Sequence, residues 1–560
     1  MRMIFRVRYL PAILAAGLAL PAMAEDAGVT LPPAAPETAA LPAGPSLLPE
    51  AAAFKAALQT ELAPLDATER AAIDGFFAAR LYAPFWTDAG TRREPELVAA
   101  LAAADAQALP VDRYDPDGLA ALFEAGAAAP ATLEVAASRA FLAFGHDVAG
   151  GIVRPDSVAP EYVDRTPVRP APSALMNRLA TEPVADILRS LEPKAPDYAL
   201  LKAEKARLED LARTASWGPE VADGPTLHPG DSDPRVAGLR ARLARLGYLQ
   251  PTAEAASSAF DDGLADAVAA FQRDYGLNDD GVVGALTLDA VNAPAETRLA
   301  QVAVNLERMR WMPKDLGARY LWVNIPDFTV RLMEDGKETW QSRAVVGKTA
   351  VTETPEFDGL VRTVVINPTW HIPDSIAIRD YLPKLQKNPM VLKNAGIDLM
   401  TRGGTVINPN LVDFTQYTPE NFPFRIKQRP SDDNALGQVK FLFPNHFSVY
   451  MHDTPHRDLF ARDVRAYSNG CIRLQKPVEL AHILLTGQVA DPVAAFDAWR
   501  DSGKEKGVTL ERPIPVHIVY RTAFFDESGA VHFRPDVYGR DATVFAMMQK
   551  AGVVLPAAQG

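Results

Sequence analysis

The hydrophobic pattern changes along the chain from a helical period to a strand-like one near residue 320. Residues 51–225 are rich in Ala and Leu at helical spacing, as at Phe141, Phe144 and Val148. Apolar positions three and four apart form one face of an amphipathic helix. No cluster of acid, base and nucleophile stands out in this part, so we predict a helical scaffold domain.

A compact unit of three helices is predicted over residues 226–295. One apolar stripe runs from Val236 to Leu246 and ends at a glycine, and a second stripe ends at Gly276. Glycine commonly ends a helix because it adopts the left-handed conformation without strain. A third short helix follows a turn, and a linking helix over residues 296–317 leads out of the unit.

From residue 318 to residue 505 the chain reads as a β-rich domain. Apolar and polar residues alternate from Leu321 to Gly347 around a hairpin signal at Asp335-Gly336. Strand-like runs follow at residues 361–366, 439–443, 447–452 and 513–520, and a helical stretch at 476–500. The last strand-like run lies in residues 506–560, which we therefore expect to complete the fold.

Residues 373–424 interrupt this alternation. They contain the pair Gly403-Gly404 and several proline segments. So long a segment inside a β domain favours a substrate loop or a lid over core structure. We therefore predict a lid insertion here.

The N-terminus indicates export. Residues 1–24 combine three arginines with a 12-residue apolar run and end in Ala22-Met23-Ala24. This is typical of a signal peptide, here cleaved after Ala24, because a spanning helix needs about 20 apolar residues. A retained membrane anchor is the alternative. Residues 25–50 form an Ala- and Pro-rich leader.

The amino-acid composition argues against some classes of function. Of 560 residues, 48% are hydrophobic and 23% are charged, as in ordinary globular proteins. The formal net charge of −13 argues against a nucleic-acid partner, which needs a basic footprint. The nine histidines contain no HExxH motif, and no zinc ligand set can be assembled, so we expect neither a metal nor a cofactor.

The chain has a single cysteine, Cys471. An exported protein with one unpaired thiol needs a chemical reason to keep it. Gly470 allows a tight turn with amide groups free for a reacting oxygen. Upstream, Tyr450 and His452 share one face of a predicted strand, and a base beside the thiol raises its reactive thiolate fraction.

Together these residues resemble a known active-site signature. His452-Asp453-Thr454, followed by Ser-Asn-Gly-Cys-Ile-Arg at 468–473, is similar to the signature of L,D-transpeptidases. Thr354 to Phe357, Ile366 to Trp370 and Tyr82 to Trp86 are similar to the large Gram-negative branch of that family. Residues 226–295 resemble the peptidoglycan-binding domain of cell-wall enzymes. The resemblance implies a multidomain α+β protein with a β-rich catalytic domain.

The resemblance also implies a mechanism. Cys471 would attack the diaminopimelate carbonyl of a tetrapeptide stem, release D-alanine and transfer the acyl group to a second diaminopimelate amine. This gives a third-to-third cross-link in the cell wall. His452 would act as general base and acid, and backbone amides at Gly470 and Cys471 would stabilise the oxyanion.

Five further residues are candidates for substrate binding. They are Tyr450 beside the base, Trp370 at the groove, Ser468, Asn469 and Arg473. Arg473 could equally hold the motif loop. Many family members have His where this chain has Asn469, which leaves His452 as the only obvious base.

Other readings stay open at this point. A zinc peptidase and a non-enzymatic wall-binding scaffold are rival classes. The same acyl-enzyme could also pass to water or to a protein amine. The expected location is the periplasm, the expected partners are peptidoglycan stem peptides and other cell-wall synthesis enzymes, and carbapenems are expected to acylate Cys471.

Overall fold

The structure is a computed structural model that describes residues 47–88, 93–125, 130–213, 220–250 and 257–556. The signal peptide and almost all of the predicted leader lie outside the described residues. In the predicted helical scaffold, residues 51–225, the described residues form helices as far as Arg213. The helices are α1 (Pro49–Leu62), α2 (Ala67–Ala79), α3 (Arg93–Ala102), α4 (Pro116–Glu124), α5 (Pro130–Gly150), α6 (Pro172–Arg178), α7 (Val184–Leu191) and α8 (Pro196–Arg213). None of the described helices is both long and apolar enough to cross a membrane.

The predicted three-helix unit is present, followed by a long helix. These helices are α9 (Arg235–Arg245), α10 (Asp262–Asp274), α11 (Ala285–Asn292) and α12 (Ala295–Arg310). Helix α12 is buried on nearly every side and shares one apolar cluster with α8 to α11 and with the C-terminal segment. Its Arg310 forms a fully buried ion pair with Glu307, 2.9 Å between Nη1 and Oε2. The three-helix unit therefore packs into the protein through α12.

The chain then forms strands. In chain order they are β1 (Arg319–Asn324), β2 (Thr329–Glu334), β3 (Lys337–Gly347), β4 (Phe357–Ile366), β5 (Trp370–Ile372), β6 (Ile397–Met400), β7 (Val406–Ile407), β8 (Arg425–Gln428), β9 (Val439–Leu442), β10 (Met451–His452), β11 (Ala466–Ser468), β12 (Ile472–Leu474), β13 (Lys506–Val519), β14 (Ala523–Phe525) and β15 (Val531–Phe533). The remaining helices are α13 (Asp374–Ile376), α14 (Leu382–Lys387), α15 (Val391–Asn394), α16 (Pro477–Leu485), α17 (Pro492–Asp501) and α18 (Arg540–Lys550).

Nine strands make the main sheet, in the order β11-β3-β12-β10-β9-β4-β13-β1-β2. Pairing of β2 with β3 closes this series of strands on itself. The closed sheet surrounds a core of Val, Leu, Ile and Phe side chains that come from alternate strand positions. The multidomain α+β fold predicted from the sequence is confirmed.

Most predicted strands are confirmed, and one is largely wrong. The hairpin at Asp335-Gly336 joins β2 to β3, and the runs at 361–366, 439–443 and 513–520 fall in β4, β9 and β13. The run at 447–452 forms a strand only at its last two residues. Ser448 has a φ of +58°, a left-handed conformation that ends regular alternation. The helical stretch at 476–500 is two helices, α16 and α17.

The insertion, residues 373–424, is a folded subdomain rather than a long loop. Its strands join their flanking neighbours in a separate sheet of order β5-β8-β6-β7. It also has its own apolar cluster, which includes Leu385, Leu399 and Phe414. The short α13 and α14 are joined by a π-helical turn at residues 377–381. Mixed helix and strand over short lengths explains why the sequence showed no single period.

The C-terminal segment contributes a strand to the main sheet and a helix that packs against α12. Strand β13 lies between β4 and β1 in the middle of the sheet. Helix α18 packs against α12, where Asp541 pairs with Arg308. Residues far beyond the candidate cysteine are therefore part of the same folded core.

Candidate active site

Two neighbouring parallel strands bring the candidate residues together. In β10 and β12, Met451 lies opposite Ile472 and His452 lies opposite Arg473. The amide of Ile472 also donates to the carbonyl of Tyr450, 3.1 Å away, which extends the pairing by one residue. Met451 and Ile472 are fully buried in the core. Because side chains alternate across a sheet, Tyr450, His452, Cys471 and Arg473 share the opposite face.

Cys471 is partly buried and has a free thiol. Its Sγ lies 4.0 Å from the carbonyl oxygen of Ser448. Burial raises the pKa of the Cys471 thiol to about 11, although hydrogen bonding by Tyr450 and the charge of Arg473 act in the other direction. The pKa of the Tyr450 hydroxyl is also raised, first by burial and then by Cys471. The thiol is therefore neutral at physiological pH.

His452 is 4% exposed and its tautomer is fixed by one hydrogen bond. Its Nδ1 lies 2.5 Å from the carbonyl oxygen of Asp453. A carbonyl can only accept, so Nδ1 carries the proton and Nε2 keeps its lone pair. Burial, followed by the positive charge of Arg473, lowers the pKa of His452 to about 3, and Lys440 adds to this effect. His452 is thus a neutral base.

The sequence led us to expect a thiolate–imidazolium pair if His452 lay within hydrogen-bond reach of Cys471. That condition is not met, since no hydrogen bond among the described residues joins the two side chains. The raised pKa of the thiol and the lowered pKa of the imidazole both favour the uncharged pair. Burial explains the difference because it penalises whichever form carries charge.

The motif loop, residues 468–471, is held by side-chain hydrogen bonds. The Ser468 hydroxyl accepts from the amide of Gly470, 3.1 Å away, and donates to the carbonyl of Cys471 at 2.5 Å. Gly470 has a φ of +103°, which favours glycine at this position. The Gly470 amide already has an acceptor, whereas the Cys471 amide has none among the described residues. Of the two predicted oxyanion donors, the Cys471 amide is available and the Gly470 amide is not.

A cavity of about 400 Å³ lies between the motif loop and the insertion. Its lining includes Trp370, Arg379, Lys384 and Asn469. Arg379 donates from Nη2 to Oδ1 of Asn469 at 2.8 Å, so the insertion contacts the motif loop directly. A larger cavity of about 690 Å³ is lined only by residues of the N-terminal helices. The smaller cavity is the one adjoining the thiol-bearing loop.

Comparison with known proteins identifies this domain. The family model of the L,D-transpeptidase catalytic domain matches residues 318–494. The chain carries an L,D-transpeptidase catalytic domain. Models described as a "Scaffold domain" and a "Putative peptidoglycan binding domain" match residues 71–204 and 232–291.

A curated relative and several solved structures are similar to the chain. A "Putative L,D-transpeptidase" of Haemophilus influenzae is 32% identical over 250 residues, which cover 44% of this chain and 50% of that protein. The chain thus matches about half the length of that relative. An L,D-transpeptidase structure from Xylanimonas cellulosilytica is 17% identical, with a TM-score of 0.17, and covers 54% of this chain and all of that one. One from Stackebrandtia nassauensis is 12% identical, with a TM-score of 0.21, and covers 54% of this chain and 97% of that one.

Arg473 is partly buried and lies on the same face of the sheet as Cys471. None of the ion pairs or hydrogen bonds among the described residues uses its guanidinium, and its Nε is buried without a partner. Burial lowers the pKa of Arg473, while the nearby Cys471 opposes that shift. A guanidinium left without an acceptor is suited to a carboxylate, and a substrate contact of Arg473 stays a prediction.

Sequence reasoning missed two residues at this site. Arg379 lies in the π-helical turn of the insertion and gave no motif, although π turns often occur at functional sites. Thr354 was noted only as part of a family motif, yet its hydroxyl donates to the carbonyl of Gly470 at 2.9 Å. These two sequence positions are 92 and 117 residues before Cys471, so spacing along the chain could not reveal the contacts.

Proposed function

We propose that this protein is a peptidoglycan L,D-transpeptidase in which Cys471 is the nucleophile and His452 the general base. One observation carries the proposal: a lone thiol and a neutral imidazole share one face of β10 and β12 within an L,D-transpeptidase domain. The peptidoglycan-binding match at 232–291 supports a cell-wall substrate. The donor is a tetrapeptide stem whose third residue is diaminopimelate.

The proposed acylation step forms a thioester at Cys471 and releases D-alanine. The Cys471 sulfur forms a bond to the diaminopimelate carbonyl carbon while the thiol proton passes to Nε2 of His452. The carbonyl electron pair moves onto oxygen, which accepts a hydrogen bond from the Cys471 amide. Collapse of this intermediate breaks the C–N bond, and D-alanine leaves with the proton from His452.

The second step transfers the acyl group to an amine. The side-chain amine of another diaminopimelate attacks the thioester, loses a proton to His452 and releases the Cys471 thiol. The product is a third-to-third cross-link. The lining of the cavity carries two cations, Arg379 and Lys384, and one anion, Asp380, which pairs with Arg379 at 2.8 Å. The remaining positive charge supports a carboxylate-bearing stem peptide as the acceptor. Trp370 borders the same cavity and Tyr450 lies beside the base, with ring centroids 5.6 Å from His452.

The cell-wall substrate also sets the proposed location. Peptidoglycan lies outside the cytoplasmic membrane, so we propose a periplasmic protein exported by the signal peptide at residues 1–24. Other cell-wall synthesis enzymes are proposed partners. A carbapenem, whose strained lactam carbonyl resembles the scissile amide, is a proposed inhibitor that acylates Cys471.

The test is muropeptide analysis after incubation with tetrapeptide-bearing wall fragments. Wild-type protein should produce third-to-third dimers and free D-alanine, and Cys471→Ala should produce neither while keeping its thermal unfolding temperature. A chelator should leave the wild-type rate unchanged, which separates this enzyme from a zinc peptidase. Tripeptides without dimers would indicate water as the acceptor, and turnover by folded Cys471→Ala would overturn the proposal.

A further inference from the structure

A buried threonine behind the motif loop fixes the orientation of the peptide bond that precedes the cysteine. Thr354 is fully buried, and its hydroxyl donates to the carbonyl of Gly470 at 2.9 Å. The same hydroxyl accepts from the amide of Gly347, also at 2.9 Å. Its one proton is therefore committed to Gly470, and both interactions hold the hydroxyl in one rotamer.

The direction of the Gly470 carbonyl decides the direction of the Cys471 amide. The peptide unit is planar and trans, so its C=O and N–H bonds point in opposite directions. Since the carbonyl points at the buried Thr354, the Cys471 N–H points away from it. This N–H has no acceptor among the described residues, whereas the Gly470 N–H is engaged by Ser468. The Cys471 amide is thus a free and oriented donor at the nucleophile.

We infer that Thr354 is a positioning residue that orients the Cys471 amide as an oxyanion donor. The inference rests on the proposed acyl transfer. Thr354 is fully buried behind the loop and acts through the Gly470–Cys471 peptide. An oxyanion donor is effective only if it is oriented before the charge develops, so a tilted peptide slows acylation.

The C-terminal segment holds Thr354 in place. The Tyr538 hydroxyl donates to the carbonyl of Gly347 at 2.8 Å and accepts from the amide of Thr354 at 3.2 Å. Arg540 donates to the Thr354 carbonyl at 3.2 Å and pairs with the carboxylates of Glu353 and Glu356 at 2.9 and 2.7 Å. Tyr538 and Arg540 lie beyond the matched catalytic domain, which ends at residue 494. A contact that spans this boundary therefore supports the reacting loop.

The experiment compares two reactions of the same thiol. Acylation by a carbapenem forms an oxyanion, whereas exchange with an aromatic disulfide forms none. Thr354→Val, which removes the hydroxyl and keeps the shape, should slow acylation about 10- to 100-fold, below the ~10²–10³-fold effect of losing a donor entirely. Disulfide exchange should stay within about twofold, and Thr354→Ser should restore acylation. Intact-mass spectrometry follows both reactions.

Thr352→Val is the matched control. The Thr352 hydroxyl also donates to the motif loop, but to the carbonyl of Ser468 at 2.9 Å, which does not belong to the peptide before Cys471. This variant should acylate at the wild-type rate. If Thr354→Val does not fold, Tyr538→Phe tests the same path, and we expect acylation to fall about 3- to 10-fold with disulfide exchange unchanged.

Each outcome has a separate meaning. Equal slowing of acylation and exchange would show a general loss of loop structure and would overturn the inference. Unchanged acylation in folded Thr354→Val would overturn it as well, as would a Thr352→Val loss of the same size. A wild-type protein that neither a carbapenem nor a tetrapeptide donor acylates would overturn the proposed function together with this inference.

Discussion

Removing the imidazole of His452 should change how the acylation rate depends on pH. In the wild type the pKa of His452 is about 3, so the base is unprotonated throughout the range from pH 5 to pH 8. If His452 takes the proton during attack, acylation by a carbapenem should be nearly flat over that range. His452→Ala must instead use the thiolate that exists at equilibrium, and its acylation rate should rise about tenfold per pH unit.

The magnitudes show why a preformed ion pair is not the reactive state. With the pKa of Cys471 at about 11 and that of His452 at about 3, moving the proton costs about 11 kcal/mol. Attraction between the two charges would recover part of this cost, but both pKa shifts favour the uncharged pair. If His452 is the base, proton transfer therefore accompanies formation of the sulfur–carbon bond.

Disulfide exchange gives the reference profile, because it requires the thiolate itself. At pH 7 a thiol with a pKa of about 11 is about 10⁻⁴ ionised, against about 10⁻² for the ordinary value of 9.0. The more basic thiolate is intrinsically more nucleophilic, which offsets about tenfold of that difference. Exchange at Cys471 should thus be about tenfold slower than in an unstructured cysteine peptide and should rise with pH in both wild type and variant.

The assay is intact-mass spectrometry of the carbapenem adduct from pH 5 to pH 8, with His456→Ala as the control. His456 is exposed and lies four residues from His452, so its loss should leave both profiles unchanged. His452→Ala should lower acylation at pH 7 by about 10²–10⁴-fold, the usual contribution of general-base catalysis. A wild-type acylation rate that rises tenfold per pH unit, parallel to exchange, would refute the reasoning. A flat profile in His452→Ala would remove this residue from the role of base.

Two further predictions concern the binding unit and the insertion. Leu286 is an exposed leucine of the unit matched at 232–291, and Leu286→Asp should weaken pull-down of the protein by intact sacculi. Turnover of soluble muropeptides should stay unchanged, since that unit contains no predicted nucleophile or base. Equal pull-down of variant and wild type would exclude this leucine from the binding surface. Amide hydrogen exchange around Arg379, where the insertion contacts the motif loop, should slow on acylation. Arg379→Met should speed this exchange up to about fivefold because the hydrogen bond to Asn469 is lost, and exchange that acylation leaves unchanged would contradict a mobile cover.

The sequence predicted the fold best where one period persisted over many residues. The strands β2 and β3 alternate over much of their length, as from Trp340 to Ala344, because one face contacts the closed core and the other faces outward. The insertion gave no such signal, since its strands are two to four residues long and its helices interrupt them. The strand predicted at 447–452 was wrong over residues 447–450, although apolar residues alternate there. The left-handed conformation of Ser448 interrupts the strand, and it is visible only in the backbone.

In the candidate site, too, the sequence could predict some features and not others. Cys471 and His452 could be selected because a lone thiol, a glycine and a histidine are chemically distinctive at any position. Their protonation states could not, because burial decides the two pKa values and burial follows from the whole fold. Thr354 has an ordinary hydroxyl, and its importance arises only where the loop after β3 meets the loop before β12.

The neutral thiol also explains how a single cysteine can persist in the proposed periplasmic location. Oxidation and disulfide exchange both require the thiolate, so a pKa of about 11 protects Cys471 from the reactions that an oxidising compartment favours. The same protonation would make it a poor nucleophile toward an amide if the sulfur acted alone. In the proposed mechanism His452 resolves this conflict, because its Nε2 lone pair is available at physiological pH and takes the proton as the sulfur attacks a carbonyl carbon. Burial would then protect the thiol until a donor carbonyl is bound.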